Sequence, residues 1–408
     1  MMNFQMNDVA IYECLANTMN FMHPGMYLHQ LRVAILADKI AEQINLSKQR
    51  REVLFYAALI HDIGRVFARP DKAQSTDETK NAYVHAQAGY ELLKNYSFFH
   101  HIGEVILHHH DWWDGSHPKS DSYEMRMIPI ESRIICIAEE AVVYLDDTTS
   151  TRPLADLHDY LKTMGLHKLD PDLLEAFAEI SFLDKVWKDY TWPNLKVHFK
   201  KYTGDSYLRN IPLKDIKAFA EVLVALLEQW SALTARHVRL VAKLSAQLAE
   251  LRNFDADAVT CIYIAGLLHD LGKVAIAQEL LNKQSELTAE EYKAVQKHAY
   301  YTYWLLSQVN GLEDIAKWAA YHHETLDGKG YPFGLNEYKL SEEARIIAVV
   351  EVFAALVADR TYHNLVSLEK IKKLMQNMAK TDKVDKSIVK TVFNNMGALY
   401  PSKEVVNH

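Results

Sequence analysis

The stretch LIHDIGR, Leu59–Arg65, returns 208 residues later as LLHDLGK, Leu267–Lys273. Working outward, the same offset carries His29 onto His237, so that in both places a His stands 32 residues before the His–Asp pair. Downstream, His85 and His110 are 25 apart, as are His298 and His323. His110 to Glu139 is 29 residues, and His323 to Glu351 is 28. The tails also correspond, LDPDLLEAF (Leu169–Phe177) with VDKSIVKTV (Val384–Val392). Landmarks kept in this order mark one unit written twice, and such a repeat decides the fold. The copies are expected at residues 1–190 and 215–408. The 191–214 stretch between them, with Pro193, Gly204, Pro212 and the basic pair Lys200–Lys201, reads as a linker.

The periodicity within each copy is helical. HQLRVAILADKIAEQI (His29–Ile44), EVLFYAALIHDI (Glu52–Ile63) and SLEKIKKLMQNMAK (Ser367–Lys380) all space apolar residues by three and four. Thr288 followed three residues later by Glu291 predicts a capping-box helix start. No stretch alternates as a sheet would, so the expected fold class is all-α, two tandem helical domains.

Composition narrows the class. At 49% hydrophobic and 24% charged residues, with few Gly and Pro, the 408-residue chain can bury substantial cores and need not be disordered. A net charge of -8 argues against duplex nucleic acid as a partner. Cys14, Cys136 and Cys261 are odd in number and scattered, which fits core thiols in a reducing cytoplasm. The first residues lack a basic segment followed by an apolar one, so no signal peptide is expected. Ile346–Ala358, the longest apolar stretch, is broken by Glu351 and too short to span a bilayer. The expectation is a soluble cytoplasmic protein with no membrane partner; whether it forms a homodimer is left open.

In the second copy His237, His269, Asp270, His298, His322, His323 and Glu351 form a candidate metal set. His and carboxylate ligands suit iron, manganese, nickel or zinc. Adjacent His269 and Asp270 cannot share one helical face, but both can turn inward if the helix ends there, and Gly272 fits such an end. Asp270 could bridge two cations, with His237 and Glu351 serving one and His298, His322 and His323 the other. Two such cations activate a water and stabilise an in-line phosphoryl displacement. Lys273 is placed to meet the phosphate.

These residues reproduce the H…HD…D pattern of the HD superfamily. LLHDLGKVAI (Leu267–Ile276), followed by HHETLDGKGYP (His322–Pro332), closely resembles the signature of the HD-GYP subfamily. RIIAVVEVFAALVADRTYH (Arg345–His363) resembles its next helix. The resemblance implies a bacterial metal-dependent phosphodiesterase opening cyclic di-GMP or 3'3'-cyclic GMP-AMP to a linear dinucleotide. Its expected cofactors are two divalent cations, iron or manganese first and nickel or zinc as alternatives. It further implies Asp270 and Lys273 as catalytic residues. Lys273, Arg360, His363 and the loop of Gly330, Tyr331 and Pro332 would lie at the substrate. The sequence departs from the family at Glu351, where Asp is usual, and at His363, where Lys is common. Leu233 stands where members with three metals carry Glu, which favours two ions. A tandem layout without a receiver domain resembles vibrio-type enzymes acting on cyclic GMP-AMP.

The first copy resembles a plain HD domain. His29, His61, Asp62, His85, His109, His110 and Glu139 match the ligand set, making a candidate second metal site. Arg65 replaces the Lys, and HHHDWWDGSHP (His108–Pro118) lacks the Gly-Tyr-Pro loop. Three duties stay open for it: regulatory metal binding, divergent hydrolysis, or scaffold alone. Trp112 and Trp113 fit either base stacking or packing. For the whole chain, an HD-type nucleotide phosphohydrolase or a non-catalytic cyclic-dinucleotide-binding regulator stand as alternatives.

Overall fold

The computed structural model describes residues 3–67, 78–116, 128–146, 156–181, 195, 197, 199–202, 208–362 and 367–399. The chain divides into two compact units, Asn7–Leu208 and Arg209–His408, the latter joined by Met1–Met6. The first unit contains α1 (Asp8–Met22), α2 (Met26–Gln43), α3 (Lys48–Leu59), α4 (Glu78–Leu93), α5 (His100–Leu107), α6 (Ile130–Asp146) and α7 (Pro171–Ser181). The second contains α8 (Leu213–Trp230), α9 (Ala232–Leu251), α10 (Ala256–Leu268), α11 (Ala289–Ser307), α12 (Glu313–Ala320), α13 (Glu342–Tyr362), α14 (Leu368–Lys380) and α15 (Lys386–Asn394). Helices α1 to α6 match α8 to α13 in order, so the repeat is visible in the structure, and the fold is all-α.

Among the described residues the sheet is a single pair, β1 (Asn3–Asn7) against β2 (Leu208–Pro212). The beginning of the chain, which the repeat assigned to the first copy, thus contributes to the second unit. Met6 is buried there, and Asn310 Nδ2 reaches Gln5 O at 3.5 Å. Strand pairing across two hundred residues leaves no local periodicity to read.

The second unit is organised about α10. Asp255 caps it, its carboxylate accepting from Ala258 N at 2.8 Å. Cys261, Ile262, Ile264, Ala265, Gly266, Leu267 and Leu268 are all buried, the mark of a helix wrapped in core on most sides. The surrounding segment Ala256–Ala275, rather than Ile346–Ala358, is long and apolar enough to cross a membrane by length and composition, but 67% of it is buried within the protein.

The end of α10 sets up the site. His269 keeps helical dihedrals (φ -56°, ψ -35°), Asp270 turns to φ -99°, ψ 9°, and a 3-10 turn follows over Leu271–Ala275. Thr302 on α11 staples the break: its Oγ1 donates to His269 O at 2.9 Å and accepts from Gly272 N at 2.9 Å. Gly272 does not adopt positive φ, as a left-handed helix cap would. Its requirement is steric. A Cβ at Gly272 would lie 2.0 Å from His298 O and 2.5 Å from Thr302 N. The first unit repeats the device, with a Cβ at Gly64 falling 1.8 Å from His85 O.

Gly272→Ala must push α11 off the turn. Overpacking of this kind costs about 1–3 kcal/mol or more, and urea unfolding is expected to show a loss at the upper end. Gly397→Ala, which meets nothing within 4 Å, is expected to change stability by less than about 0.5 kcal/mol.

Candidate metal centre

The buried histidines of the second unit are oriented by their own helices. His269, His298 and His322 each place Nδ1 on a carbonyl three residues back: Gly266 O at 2.8 Å, Val295 O at 2.7 Å and Ala319 O at 2.7 Å. A carbonyl can only accept, so each Nδ1 carries the proton and Nε2 faces inward as a donor atom. His269 ends α10, His298 sits within α11, and His322 and His323 follow α12.

The inward atoms converge. His298 Nε2 is 3.2 Å from His322 Nε2, and His323 completes a three-histidine set with them. His237 on α9, His269 and Glu351 on α13 form a second set, with Glu351 Oε2 2.7 Å from His237 Nε2 and 3.2 Å from His269 Nε2. Asp270 lies between the sets. Its Oδ1 is 3.3 Å from His298 Nε2 and its Oδ2 is 3.4 Å from His269 Nε2. The structure therefore brings all seven sequence-predicted groups together, and Glu351 reaches the cluster despite its extra methylene.

The chemistry of this set fits divalent cations. Burial, and then neighbouring imidazoles, push His322 down to about 3. Burial also brings His298 down to about 4, with Asp270 offsetting it only in part. Both rings are neutral at pH 7, so two lone pairs face each other at 3.2 Å, a repulsive contact that a cation between them relieves. His269 Nε2 is buried and faces two carboxylates, Glu351 Oε2 at 3.2 Å and Asp270 Oδ2 at 3.4 Å. Burial alone would lower the pKa of His269, yet the adjoining Asp270 and Glu351 outweigh it and raise it to about 10. A field strong enough to hold that extra proton is one that would hold a metal ion.

Lys273 Nζ stands 2.6 Å from Asp270 Oδ2 with its side chain 23% exposed. Burial opposes its charge, and Asp270 more than restores it. The Gly330–Pro332 loop closes another side. Tyr331 N donates to His323 O at 3.2 Å, and the Tyr331 ring lies 4.6 Å from that of His323. A residue that the sequence reading missed holds this loop. Glu324 is buried and accepts from Phe333 N at 2.7 Å, Gly334 N at 3.1 Å and Leu335 N at 2.8 Å. The available signal was a carboxylate directly after the His pair and before a Gly-rich turn. The side chain of Arg360, and His363 altogether, lie outside the described residues.

The first unit assembles the corresponding groups. His85, His109 and His110 form one set, and His29, His61, Asp62 and Glu139 another. His85 Nε2 is 3.2 Å from His109 Nε2 and 3.0 Å from His110 Nε2. The electrostatics differ. Arg65 Nε pairs with Asp62 Oδ1 at 2.7 Å and its guanidinium reaches Glu139 at 3.6 Å. Burial, then the Asp62 charge, holds Glu139 well above the usual carboxylate range. In the second unit His237 and His269 overcome burial and hold Glu351 well below it. Trp113 has Arg133 over its ring at 4.9 Å, so this indole is engaged by the protein itself.

Removing Asp270 takes the group between the two sets. Asp270→Ala is expected to bind manganese at least about tenfold more weakly, since even partners one shell further out contribute 10–100-fold. Elemental analysis after dialysis reads this directly. Tyr338→Ala, 86% exposed, is expected to keep the wild-type metal content.

Comparison with known proteins agrees with this geometry. Residues 219–388 and residues 26–140 match two sequence families, each described as an HD domain. The 3'3'-cGAMP-specific phosphodiesterase 1 of Vibrio cholerae is 26% identical over 95% of this chain and 91% of that protein. A cyclic di-GMP phosphodiesterase of Thermotoga maritima is 38% identical over 36% of this chain and 41% of that protein. The crystal structure of a cyclic GMP-AMP specific phosphodiesterase from V. cholerae superposes with a TM-score of 0.65 at 18% identity, over 97% of this chain and 99% of that one, which shows a shared fold. The chain belongs to the HD domain family, with one HD domain in each of its two units.

Proposed function

We propose that the second unit is a metal-dependent phosphodiesterase of HD-GYP type that opens a cyclic dinucleotide, 3'3'-cyclic GMP-AMP or cyclic di-GMP, to its linear form. The observation that carries this is Asp270 set between two histidine-rich donor sets with Lys273 paired to it at 2.6 Å. The names of the relatives in V. cholerae and T. maritima give the substrate class.

His298, His322 and His323 would hold one cation and His237, His269 and Glu351 the other, with Asp270 able to serve both. Iron, manganese, nickel and zinc all suit such ligands. When bound, a pair of divalent ions lowers the pKa of a shared water and neutralises charge on a phosphodiester. The protein's own part is orientation and charge. Carbonyl-fixed imidazoles hold the donor atoms in place before substrate arrives. The Lys273 ammonium beside Asp270 would meet a non-bridging phosphate oxygen. Water adds to phosphorus, the ester bond to one ribose oxygen breaks, and that oxygen leaves with a proton. Tyr331 covers His323 and limits access of bulk water. Arg360 and His363 are proposed at the second phosphate.

The first unit is proposed as a metal-binding regulatory domain. Its complete donor set supports metal binding, and Arg65 bound across its two carboxylates makes its charge unlike that of the second unit. Three buried free thiols support a reducing, cytoplasmic setting.

Asp270→Ala is expected to lower kcat/KM for the preferred cyclic dinucleotide at least about 10³-fold. Chromatographic assays on cyclic di-GMP and both GMP-AMP linkage isomers test this, and persistent turnover in that variant would defeat the assignment. Activity on mononucleotides alone would favour the phosphohydrolase reading instead.

A further inference from the structure

The rim of the metal centre carries two large apolar side chains that the core does not use. Leu233 is 67% exposed on α9. It stands four residues before His237, hence on the same helical face and one turn further out. Tyr292 is 51% exposed in the first turn of α11. Its position is fixed, since the capping box of Thr288 and Glu291 starts the helix and Tyr292 N donates to Thr288 O at 2.9 Å. The Tyr292 hydroxyl faces that of Tyr331, whose ring packs at 4.6 Å on His323 and 6.5 Å from His298. Leu233 therefore flanks the His237 end of the cluster and Tyr292 the His298–His323 end. The two donor sets that they adjoin are joined through Asp270.

A ligand that covers Leu233 and Tyr292 gains apolar burial that these exposed side chains otherwise lack. With the cations of the proposed function in place, the arrangement would be an electropositive middle with an apolar side chain toward each end. A ligand complementary to it has a phosphodiester at its centre and a flat heteroaromatic group on either side. We infer that Leu233 and Tyr292 each bear on one nucleobase of the cyclic dinucleotide, so that the two side chains set base preference. This rests on the phosphodiesterase reading above. The two contacts differ in kind. Tyr292 offers a ring and a hydroxyl, able to stack a purine and to discriminate its exocyclic edge. Leu233 offers only shape.

The test compares full-length, manganese-loaded wild-type protein with Leu233→Ala, Tyr292→Ala and Tyr292→Phe. Substrates are cyclic di-GMP, 3'3'-cyclic GMP-AMP and bis(p-nitrophenyl) phosphate, a diester without bases. Each alanine variant is expected to raise KM for the cyclic dinucleotides about tenfold, the size of one lost base contact. The larger share of the lost kcat/KM should fall in KM. The ratio of kcat/KM between the two dinucleotides should shift at least threefold in Tyr292→Ala. Tyr292→Phe, keeping the ring, is expected to restore most of the KM. Metal content and thermal midpoint, read on the same samples, should match wild type because both residues are exposed. Equal losses on bis(p-nitrophenyl) phosphate and on the dinucleotides would overturn the inference, as the side chains would then act on the centre itself. Unchanged KM would also overturn it. A wild-type protein that cleaves the base-free diester but no cyclic dinucleotide would defeat the function reading, and this inference with it.

Discussion

The structure of each unit depends on one close backbone approach. At Gly272 the turn after α10 presses against the backbone of α11 so tightly that a single methyl would overlap His298 O. Thr302 closes the contact with two hydrogen bonds. This approach ends α10 where His269 and Asp270 both point inward, and it brings His298 to face them. Loosen it and three of the seven polar groups lose their shared centre together. The same approach at Gly64 and His85 shows that the device is a property of the repeated unit and not of one copy.

Electrostatics then decides what the centre is for. Buried imidazoles fixed through Nδ1 have nowhere to turn their Nε2 lone pairs except toward one another. In an otherwise apolar setting that is costly unless something positive lies among them. The carboxylates Asp270 and Glu351 supply the balancing negative charge. In the second unit, Lys273 adds a compact cation paired with Asp270. In the first, Arg65 presents a guanidinium whose charge is permanent and whose planar fork engages both Asp62 and Glu139. Two frameworks with corresponding donor groups thus differ in the charge set beside their carboxylates.

Much of this was legible in the sequence, for a physical reason. Metal ligation needs particular side chains at spacings set by helix lengths, so the duplicated His–Asp landmarks carried both the fold class and the cluster. What spacing cannot show is why a neighbour is needed. Gly272 reads as a helix stop, whereas its requirement comes from the backbone of a helix some thirty residues away. Glu324 looks like one more acidic residue beside a His pair. Its role emerges only when the loop after it folds back and three amides converge on its carboxylate. Strand β1 was invisible for the same reason, because its partner is β2 and no local pattern announces that pairing.

The chemistry proposed for the second unit requires that its seven side chains gather two cations about Asp270. Anomalous diffraction at the manganese edge from crystals of the full-length protein tests it most directly. Two peaks are expected in the second unit roughly 3.5–4 Å apart, one among His298, His322 and His323, the other among His237, His269 and Glu351, with Asp270 reaching both. Peaks distant from Asp270, or a fully loaded protein with no peak in that unit, would contradict it.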